Sequence, residues 1–321
     1  MALRLQDMWV WDFWFVRNGG DDHIFYLQAP RALGRPELRH RNATIGHAVS
    51  SNCREWYVLP DAIHPGTDSS WDDLATWTGS AIGHEGRWYM LYTGVSRADN
   101  GLVQRIGLAV SNDLVHWSKH VANPVLEADP RWYEVLGQGR HPHQAWRDPW
   151  LFRSEEDGLV HVLVTARSRL GAPDGAGVLG HACSRDLVNW DVLPPLTEPG
   201  DFAQLEVPQL VRFNGSYTIL FSCLAEDHSR RRLDRLGVAG RSGTFALSST
   251  QFSGPYVASE APVTAPVGET GVLYAGKLVE VKGEWQFMAF CGVSDSDFVG
   301  ELTDPLPIAL TGNGQFVVGC E

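Results

Sequence analysis

Apolar residues along this chain come in short runs behind turn signals, not at helical spacing. One pattern recurs five times, a polar turn followed by an apolar strand. The copies are Asp21-Asp22-His23-Ile24-Phe25-Tyr26-Leu27, Glu85-Gly86-Arg87-Trp88-Tyr89-Met90-Leu91-Tyr92, Asp157-Gly158-Leu159-Val160-His161-Val162-Leu163-Val164, Asn214-Gly215-Ser216-Tyr217-Thr218-Ile219-Leu220-Phe221 and Lys282-Gly283-Glu284-Trp285-Gln286-Phe287-Met288-Ala289. Asn-Gly and Asp-Gly ahead of β-branched and aromatic residues predict β-hairpins. A second pattern follows each of the first three. Gly46-His47-Ala48-Val49-Ser50 returns as Gly107-Leu108-Ala109-Val110-Ser111 and as Gly180-His181-Ala182-Cys183-Ser184, with a weaker echo at Phe245-Ala246-Leu247-Ser248. The two cleaner copies run into Ser111-Asn112-Asp113-Leu114-Val115-His116-Trp117 and Ser184-Arg185-Asp186-Leu187-Val188-Asn189-Trp190; residues 50–56 are a degraded copy with Asn52 in place of the Asp. Asp or Asn favours a turn there because its side chain bonds the backbone just ahead. The Trp after each turn is expected to pack on the next unit.

Five units in 321 residues give about 64 residues each, room for roughly four short strands per unit. No stretch sustains a helical period. The expectation is an all-β fold, a five-bladed β-propeller, whose closure protects its sheet edges. A two-sheet sandwich would not need five similar units. Residues 1–321 are expected to form one propeller domain, with residues 170–177 and 228–243 as loops between strands.

Composition narrows the function. Hydrophobic content is 44%, enough for a large core, and net charge is −12 with no basic run beyond Arg230-Arg231-Arg232. That argues against nucleic acid or an anionic membrane as partner. The cysteines (Cys53, Cys183, Cys223, Cys291, Cys320) are odd in number and form no Cys-x-x-Cys pair, so free thiols in a reducing compartment are expected. The N-terminus lacks an apolar core of signal-peptide length, and no run approaches the ~18 apolar residues of a membrane span. A cytoplasmic location is the expectation. No cofactor or metal is called for: Asp295 and Asp297 could suggest a calcium loop, but a solvated turn is the preferred reading. Oligomeric state is left open.

The inner strand of a propeller blade begins near the axis, so polar residues there can converge. Three stretches qualify. Trp9-Val10-Trp11-Asp12-Phe13-Trp14 sets one carboxylate among aromatic rings, whose flat faces suit a sugar. Trp146-Arg147-Asp148-Pro149 and Leu205-Glu206-Val207-Pro208 each set an acid just before a Pro at the start of an apolar strand, one strand ahead of a hairpin signal. Pro removes a ladder donor, and charges near a crowded axis need partners. Asp12, Asp148 and Glu206 are thus expected at equivalent inner-strand positions of blades one, three and four.

These stretches resemble the glycoside hydrolases built on five-bladed propellers, specifically family 32 β-fructosidases and their family 68 levansucrase relatives. Asp12 in Trp-Val-Trp-Asp is similar to the nucleophile stretch, in wording closer to the levansucrases. Arg147-Asp148-Pro149 is similar to the family triplet and Glu206-Val207-Pro208 to the Glu-Cys-Pro stretch. Gln28 resembles the glutamine that contacts the fructosyl ring. Gly46-His47 resembles the Trp-Gly-His stretch, with Ile45 replacing the Trp. Trp77-Thr78-Gly79-Ser80 resembles an aromatic-Ser-Gly-Ser stretch, and Tyr274-Ala275-Gly276-Lys277 weakly resembles a fifth-blade Tyr-Ala stretch. The family usually appends a C-terminal β-sandwich, and this chain is expected to lack one.

The resemblance implies Asp12 as nucleophile, Glu206 as general acid/base and Asp148 as stabiliser of the cationic transition state. It also implies a small carbohydrate substrate. Glu206 lies between apolar Leu205 and Val207, where burial is expected to raise its pKa. Arg147 is expected to hold Asp148 ionised and to reach the sugar. Trp9, Trp14, Gln28, His47, Trp77, Ser80, Arg147 and Tyr274 are the candidate sugar contacts. For each Trp, packing between blades weighs as much as a sugar contact. His47, His143 and His181 could meet sugar hydroxyls, although a structural role weighs more for any one of them. The implied activity is retaining cleavage of β-fructofuranosides, sucrose or short fructans, with fructosyl transfer as a variant. The alternatives are inverting cleavage of arabinan- or xylan-type substrates on the same frame, and a sugar-binding propeller without activity.

Overall fold

The computed structural model describes residues 3–264, 272–294, 297–310 and 316–319. Its strands form five sheets, each from contiguous sequence. Blade I holds β1 (Met8–Asn18), β2 (Asp21–Pro30), β3 (Thr44–Ser50) and β4 (Tyr57–Ile63). Blade II holds β5 (Ala75–His84), β6 (Arg87–Val95), β7 (Arg105–Ser111) and β8 (Trp117–Lys119). Blade III holds β9 (Trp146–Arg153), β10 (Val160–Arg167), β11 (Gly177–Ser184) and β12 (Asp191–Leu193). Blade IV holds β13 (Glu206–Phe213), β14 (Ser216–Cys223), β15 (Gly243–Ser249) and β16 (Val257–Ala258). Blade V runs β17 (Leu273–Val281), β18 (Glu284–Ser294), β20 (Leu306–Leu310) and β21 (Phe316–Val318), with β19 (Asp297–Leu302) also paired to β18. This is the expected five-bladed β-propeller.

The hairpin signals fall between the first and second strand of each blade. Glu85-Gly86, Asn214-Gly215 and Lys282-Gly283 all take positive φ at both positions, the geometry of a type I′ turn that matches strand twist. The second repeat forms the third strand and its turn. Asp113 Oδ1 accepts the amides of Val115 and His116 at 2.9 and 2.8 Å, and Asp186 Oδ1 accepts those of Val188 and Asn189 at 3.0 and 2.8 Å. Asn52 does the same for Arg54 and Glu55, so the degraded copy keeps the device.

Neighbouring inner strands pack around the axis in the order β1, β5, β9, β13, β17. Closure from blade V to blade I uses Leu302 N–H to Leu3 O at 3.1 Å and Arg17 Nη2 to Glu280 O at 2.5 Å. Apolar residues fill the spaces between blades. Trp117 packs edge-on against Phe25 of blade I, so it meets the preceding unit and not the next one as expected. The segment expected to be a loop at 228–243 contains a short helix, α1 (Arg230–Leu236). Ser229 Oγ accepts Arg232 N–H at its start and Gly237 closes it at φ 65°. The cysteines Cys53, Cys183, Cys223 and Cys291 are free; Cys320, Asp295 and the Asp297 side chain lie outside what the structure describes.

Candidate active site

Every inner strand carries a β-bulge at the same height. Pairing with the second strand shifts by one residue between Trp11 and Phe13, between Trp77 and Gly79, between Arg147 and Trp150, between Glu206 and Gln209, and between Tyr274 and Lys277. A bulge bends the strand and re-aims side chains. Asp12, Thr78, Asp148, Val207 and Ala275 are therefore the equivalent bulge residues. Asp148, Val207 and Ala275 sit at φ 57°, 51° and 51°, a left-handed conformation that is unfavourable for a β-branched residue such as Val207. This corrects the expected equivalence of the three acids. Asp12 and Asp148 are bulge residues, whereas Glu206 stands one position earlier, in register with Trp11, Trp77, Arg147 and Tyr274.

The amides freed by the bulges are taken up across blades. Asp148 N–H donates to Thr93 Oγ1 at 3.0 Å, Val207 N–H to Asp148 Oδ2 at 3.2 Å, and Ala275 N–H to Ser222 Oγ at 2.9 Å. In each case the acceptor belongs to the preceding blade, so the bulges of blades III, IV and V are each tied to their neighbour.

The bulges open onto a cavity of about 660 Å³ at the hub, lined by Asp12, Asp148 and Glu206 together. Thr78 Oγ1 donates to Asp12 Oδ2 at 2.7 Å. Burial, then the charge of Asp148, pushes the Asp12 carboxyl up to about 7. Burial also raises Asp148, against the pull of Arg147, Thr165 Oγ1 at 2.9 Å and the Val207 amide. Arg147 is the bridge. Its Nη2 donates to Glu206 Oε1 at 2.5 Å and its Nε lies 3.3 Å from Asp148 Oδ2. Gln104 Oε1 and Gln204 Oε1 hold the same guanidinium from two sides. Burial works against the Arg147 charge, and the two carboxylates more than offset it. Tyr274 Oη donates to Glu206 Oε2 at 2.5 Å. The setting expected for Glu206, a carboxyl among apolar neighbours, is thus replaced by a polar clamp, because its side chain leaves the strand toward Arg147 and Tyr274.

Trp77, Arg147 and Tyr274 line the cavity as expected, and so does His143. Six other candidate contacts do not. Trp14 is buried against Phe25 and fits over Gly79, where a Cβ would stand 3.0 Å from its ring. Trp9 wedges against Gly300 of blade V. Both serve packing between blades, Trp9 against blade V and Trp14 against blade II. Gln28 is buried with its amide on Asp61 Oδ1 at 2.8 Å, while its neighbour Leu27 reaches the cavity. His47 stacks on Phe25 and pairs with His23 at 3.0 Å, and His181 pairs with His161 at 2.8 Å. Ser80 accepts the Leu151 amide at 3.1 Å and ties blade II to blade III. Sequence reasoning missed Trp11, Arg39, Thr78, Gln104 and Gln204. Trp11 was inside the first stretch, next to Asp12. Thr78 and Gln204 also lay beside quoted motifs, Trp77 to Ser80 and the Glu206 stretch, but were not singled out, while Arg39 and Gln104 come from loops that nothing in their spacing marked.

A second cleft of about 590 Å³ lies between blades I and II beside Trp71 and Trp117. Its buried acid, Asp72, is already held by Lys119 at 2.5 Å and Tyr92 at 3.0 Å, which leaves no free carboxylate for catalysis there.

Residues 14–239, more than half of the chain, match the glycosyl hydrolases family 32 N-terminal domain. The chain belongs to glycosyl hydrolase family 32. β-Fructofuranosidase 1 of Zea mays is 34% identical over 182 residues, 54% of this chain and 24% of that protein. Sucrose:sucrose 1-fructosyltransferase of Festuca arundinacea is 31% identical over 188 residues, 56% of this chain and 25% of that protein. The chain spans about a quarter of the length of these curated relatives. Among solved structures, inulosucrase from Halalkalicoccus jeotgali bound to kestose is 24% identical with a TM-score of 0.80, over 98% of this chain and 87% of that one. Levansucrase from Gluconacetobacter diazotrophicus is 16% identical with a TM-score of 0.75, over 99% and 81%. The propeller of this family 32 chain is therefore shared with levansucrase-type enzymes. Asp148 and Glu206 fall inside the matched family segment, and Asp12 lies two residues ahead of it.

Proposed function

We propose that this family 32 chain is a retaining glycoside hydrolase that cleaves β-fructofuranosides, sucrose or a short fructan, through a covalent fructosyl-enzyme intermediate. The observation that carries the reading is the convergence of Asp12, Asp148 and Glu206, from blades I, III and IV, on one cavity with Arg147 bridging two of them. Furanoside cleavage needs a proton for the leaving oxygen and a carboxylate on the far side of the anomeric carbon. Glu206 in its protonated form gives its proton to the glycosidic oxygen as the C–O bond breaks, and the leaving sugar departs as an alcohol. Asp12 supplies the electron pair for the new bond to the anomeric carbon. Glu206, now a carboxylate, takes a proton from water; the water oxygen attacks the same carbon and Asp12 is released ionised. Two inversions give net retention. Asp148, fixed by Arg147, Thr165 and Val207, presents negative charge to the cationic transition state.

A sugar hydroxyl in place of that water turns the second step into fructosyl transfer. The fructosyltransferases among the curated relatives favour keeping this as the companion reading.

The test is incubation with sucrose, inulin and levan in the presence of methanol, read by chromatography and NMR. Release of fructose with formation of methyl β-fructofuranoside is expected. An α product, or activity confined to arabinan or xylan, overturns the retaining fructosidase. Asp12→Asn and Glu206→Ala proteins that bind sugar without releasing it are expected; unchanged turnover in either overturns its assigned role.

A further inference from the structure

We propose that Lys277 is a positioning residue that sets the charge state of Asp12 from beneath the active site. Lys277 is the first paired residue past the bulge of β17, opposite Met288. The same place in the other inner strands is held by Phe13, Gly79, Trp150 and Gln209. These residues form a layer one step below the acids, and Lys277 is its charged member.

The surroundings of this ammonium are unusual. Lys277 is 2% exposed. Its Nζ donates to Val207 O at 2.6 Å and Pro208 O at 3.2 Å and stands 5.5 Å from the centroid of the Trp150 ring. None of these partners carries a charge, and no ion pair joins Nζ to a carboxylate among the described residues. A buried ammonium is costly unless an anion compensates it. The charges that attract it are those of Asp12 and Asp148. Burial brings Lys277 down to about 7, the same range to which Asp12 is pushed up.

The groups facing this pair are already committed. Arg147 and Asp148 come from β9 and Glu206 from β13, joined in one bridge. Tyr274 bonds Glu206. Arg39 lies over the rings of Trp11 and Phe298 at the rim and feels the charge of Asp12 from above. Lys277 is left as the cation below Asp12, and its two hydrogen bonds also fix the carbonyls of the bulge that presents Glu206. One ammonium thereby touches the backbone just past Glu206 and the field of Asp12.

This inference rests on the role of Asp12 proposed above. Lys277→Met keeps an unbranched side chain one atom shorter and removes the charge. The kcat/KM of this variant on the fructoside, followed against pH, is expected to show its acid limb shifted upward by about one unit or more, with the maximum within about tenfold of wild type. An unmoved limb accompanied only by a lower melting temperature overturns the proposal. A second measurement needs no activity and no Lys277 variant. With 15N-labelled lysine, NMR titration is expected to show one lysine titrating in the neutral range, and Asp12→Asn is expected to lower that midpoint. A midpoint indifferent to Asp12→Asn overturns the proposal even if the fructosidase assay succeeds. Absence of sugar release by the wild-type protein counts against the proposed function and leaves this titration to decide Lys277.

Discussion

Asp148 Oδ2 accepts the backbone N–H of Val207 at 3.2 Å, so an acid of blade III caps the strained turn that presents Glu206 from blade IV. The carboxylate therefore serves two ends. It supplies charge to the cavity, and it satisfies an amide that the bulge leaves without a ladder partner. Thr93 does the second task for Asp148 itself and Ser222 does it for Ala275. The site is a ring of bulges held by their neighbours, and its precision comes from closure of the propeller.

This double duty separates two substitutions at Asp148. Asp148→Asn keeps an oxygen that can accept the Val207 amide but removes the charge. It is expected to fold with a near-native melting temperature and to lose about 10²–10³ in kcat, the usual scale for one electrostatic contact in a transition state. Asp148→Ala removes the acceptor as well and is expected to cost a further ~1–3 kcal/mol of stability. Parallel denaturant unfolding and steady-state kinetics check both; equal stability of the two variants would refute the capping role.

Arg147 offers a sharper contrast. It is nearly buried and reaches two carboxylates and two glutamine oxygens at once. Removing one partner of a buried charged network leaves the others uncompensated, a cost of about 3–5 kcal/mol. Arg147→Ala is expected to lower the melting temperature clearly and to abolish turnover. Arg147→Lys keeps the charge without the planar fork, so it is expected to fold while losing most of kcat. A melting scan with a sucrose assay decides, and an Arg147→Ala protein as stable as wild type would contradict the bridge.

The Asp12 carboxyl, pushed up to about 7 by burial and by Asp148, predicts the pH profile. A nucleophile must be ionised. Below its pKa Asp12 holds a proton and cannot attack, so kcat/KM is expected to rise with pH along an acid limb with its midpoint near 7, up to the pH at which Glu206 loses the proton it must donate. An acid limb with its midpoint near 4, the ordinary carboxylate range, would show that Asp12 is not desolvated in the working enzyme.

The wheel itself was legible because each blade repeats the turn before its second strand, and blades II and III, with a degraded copy in blade I, repeat the Ser-x-Asp turn after the third. Both act through contacts a few residues apart. The acids were legible as charges at the mouths of apolar strands. Their relative offset was not: a bulge is decided by the partner strand, so the register of Glu206 with Arg147 could not be read from Glu206-Val207-Pro208 alone. The same limit explains the tryptophans. Trp9, Trp11 and Trp14 look alike in the sequence, and only contacts with other blades, Gly300 for Trp9 and Gly79 for Trp14, set those two apart from the cavity-lining Trp11. Gln104 grips Arg147 from a loop that shows no motif, and Gln204 from beside the Glu206 stretch. Helix α1 was missed because seven residues are too few to display a period.

The paired histidines on the second and third strands of blades I and III carry the last prediction. His47 bonds His23 and His181 bonds His161, each through Nδ1 and Nε2. Such a bond needs one lone pair, so both rings cannot be protonated. Burial, with the neighbouring ring second, lowers His47 to about 3 and His181 to about 4. Both groups are neutral in the folded protein while the unfolded chain binds a proton below about 6.5. The unfolded state therefore gains protons first as pH falls. Stability is fully present above about 6.5 and is lost toward pH 4, by up to about 1.4 kcal/mol per unit for each of the two. Urea unfolding at pH 7.5 and pH 5 measures the loss. Replacing His181 by Gln, which can still bond His161, is expected to flatten that dependence; an unchanged slope would mean that these pairs do not set the acid limit of the fold.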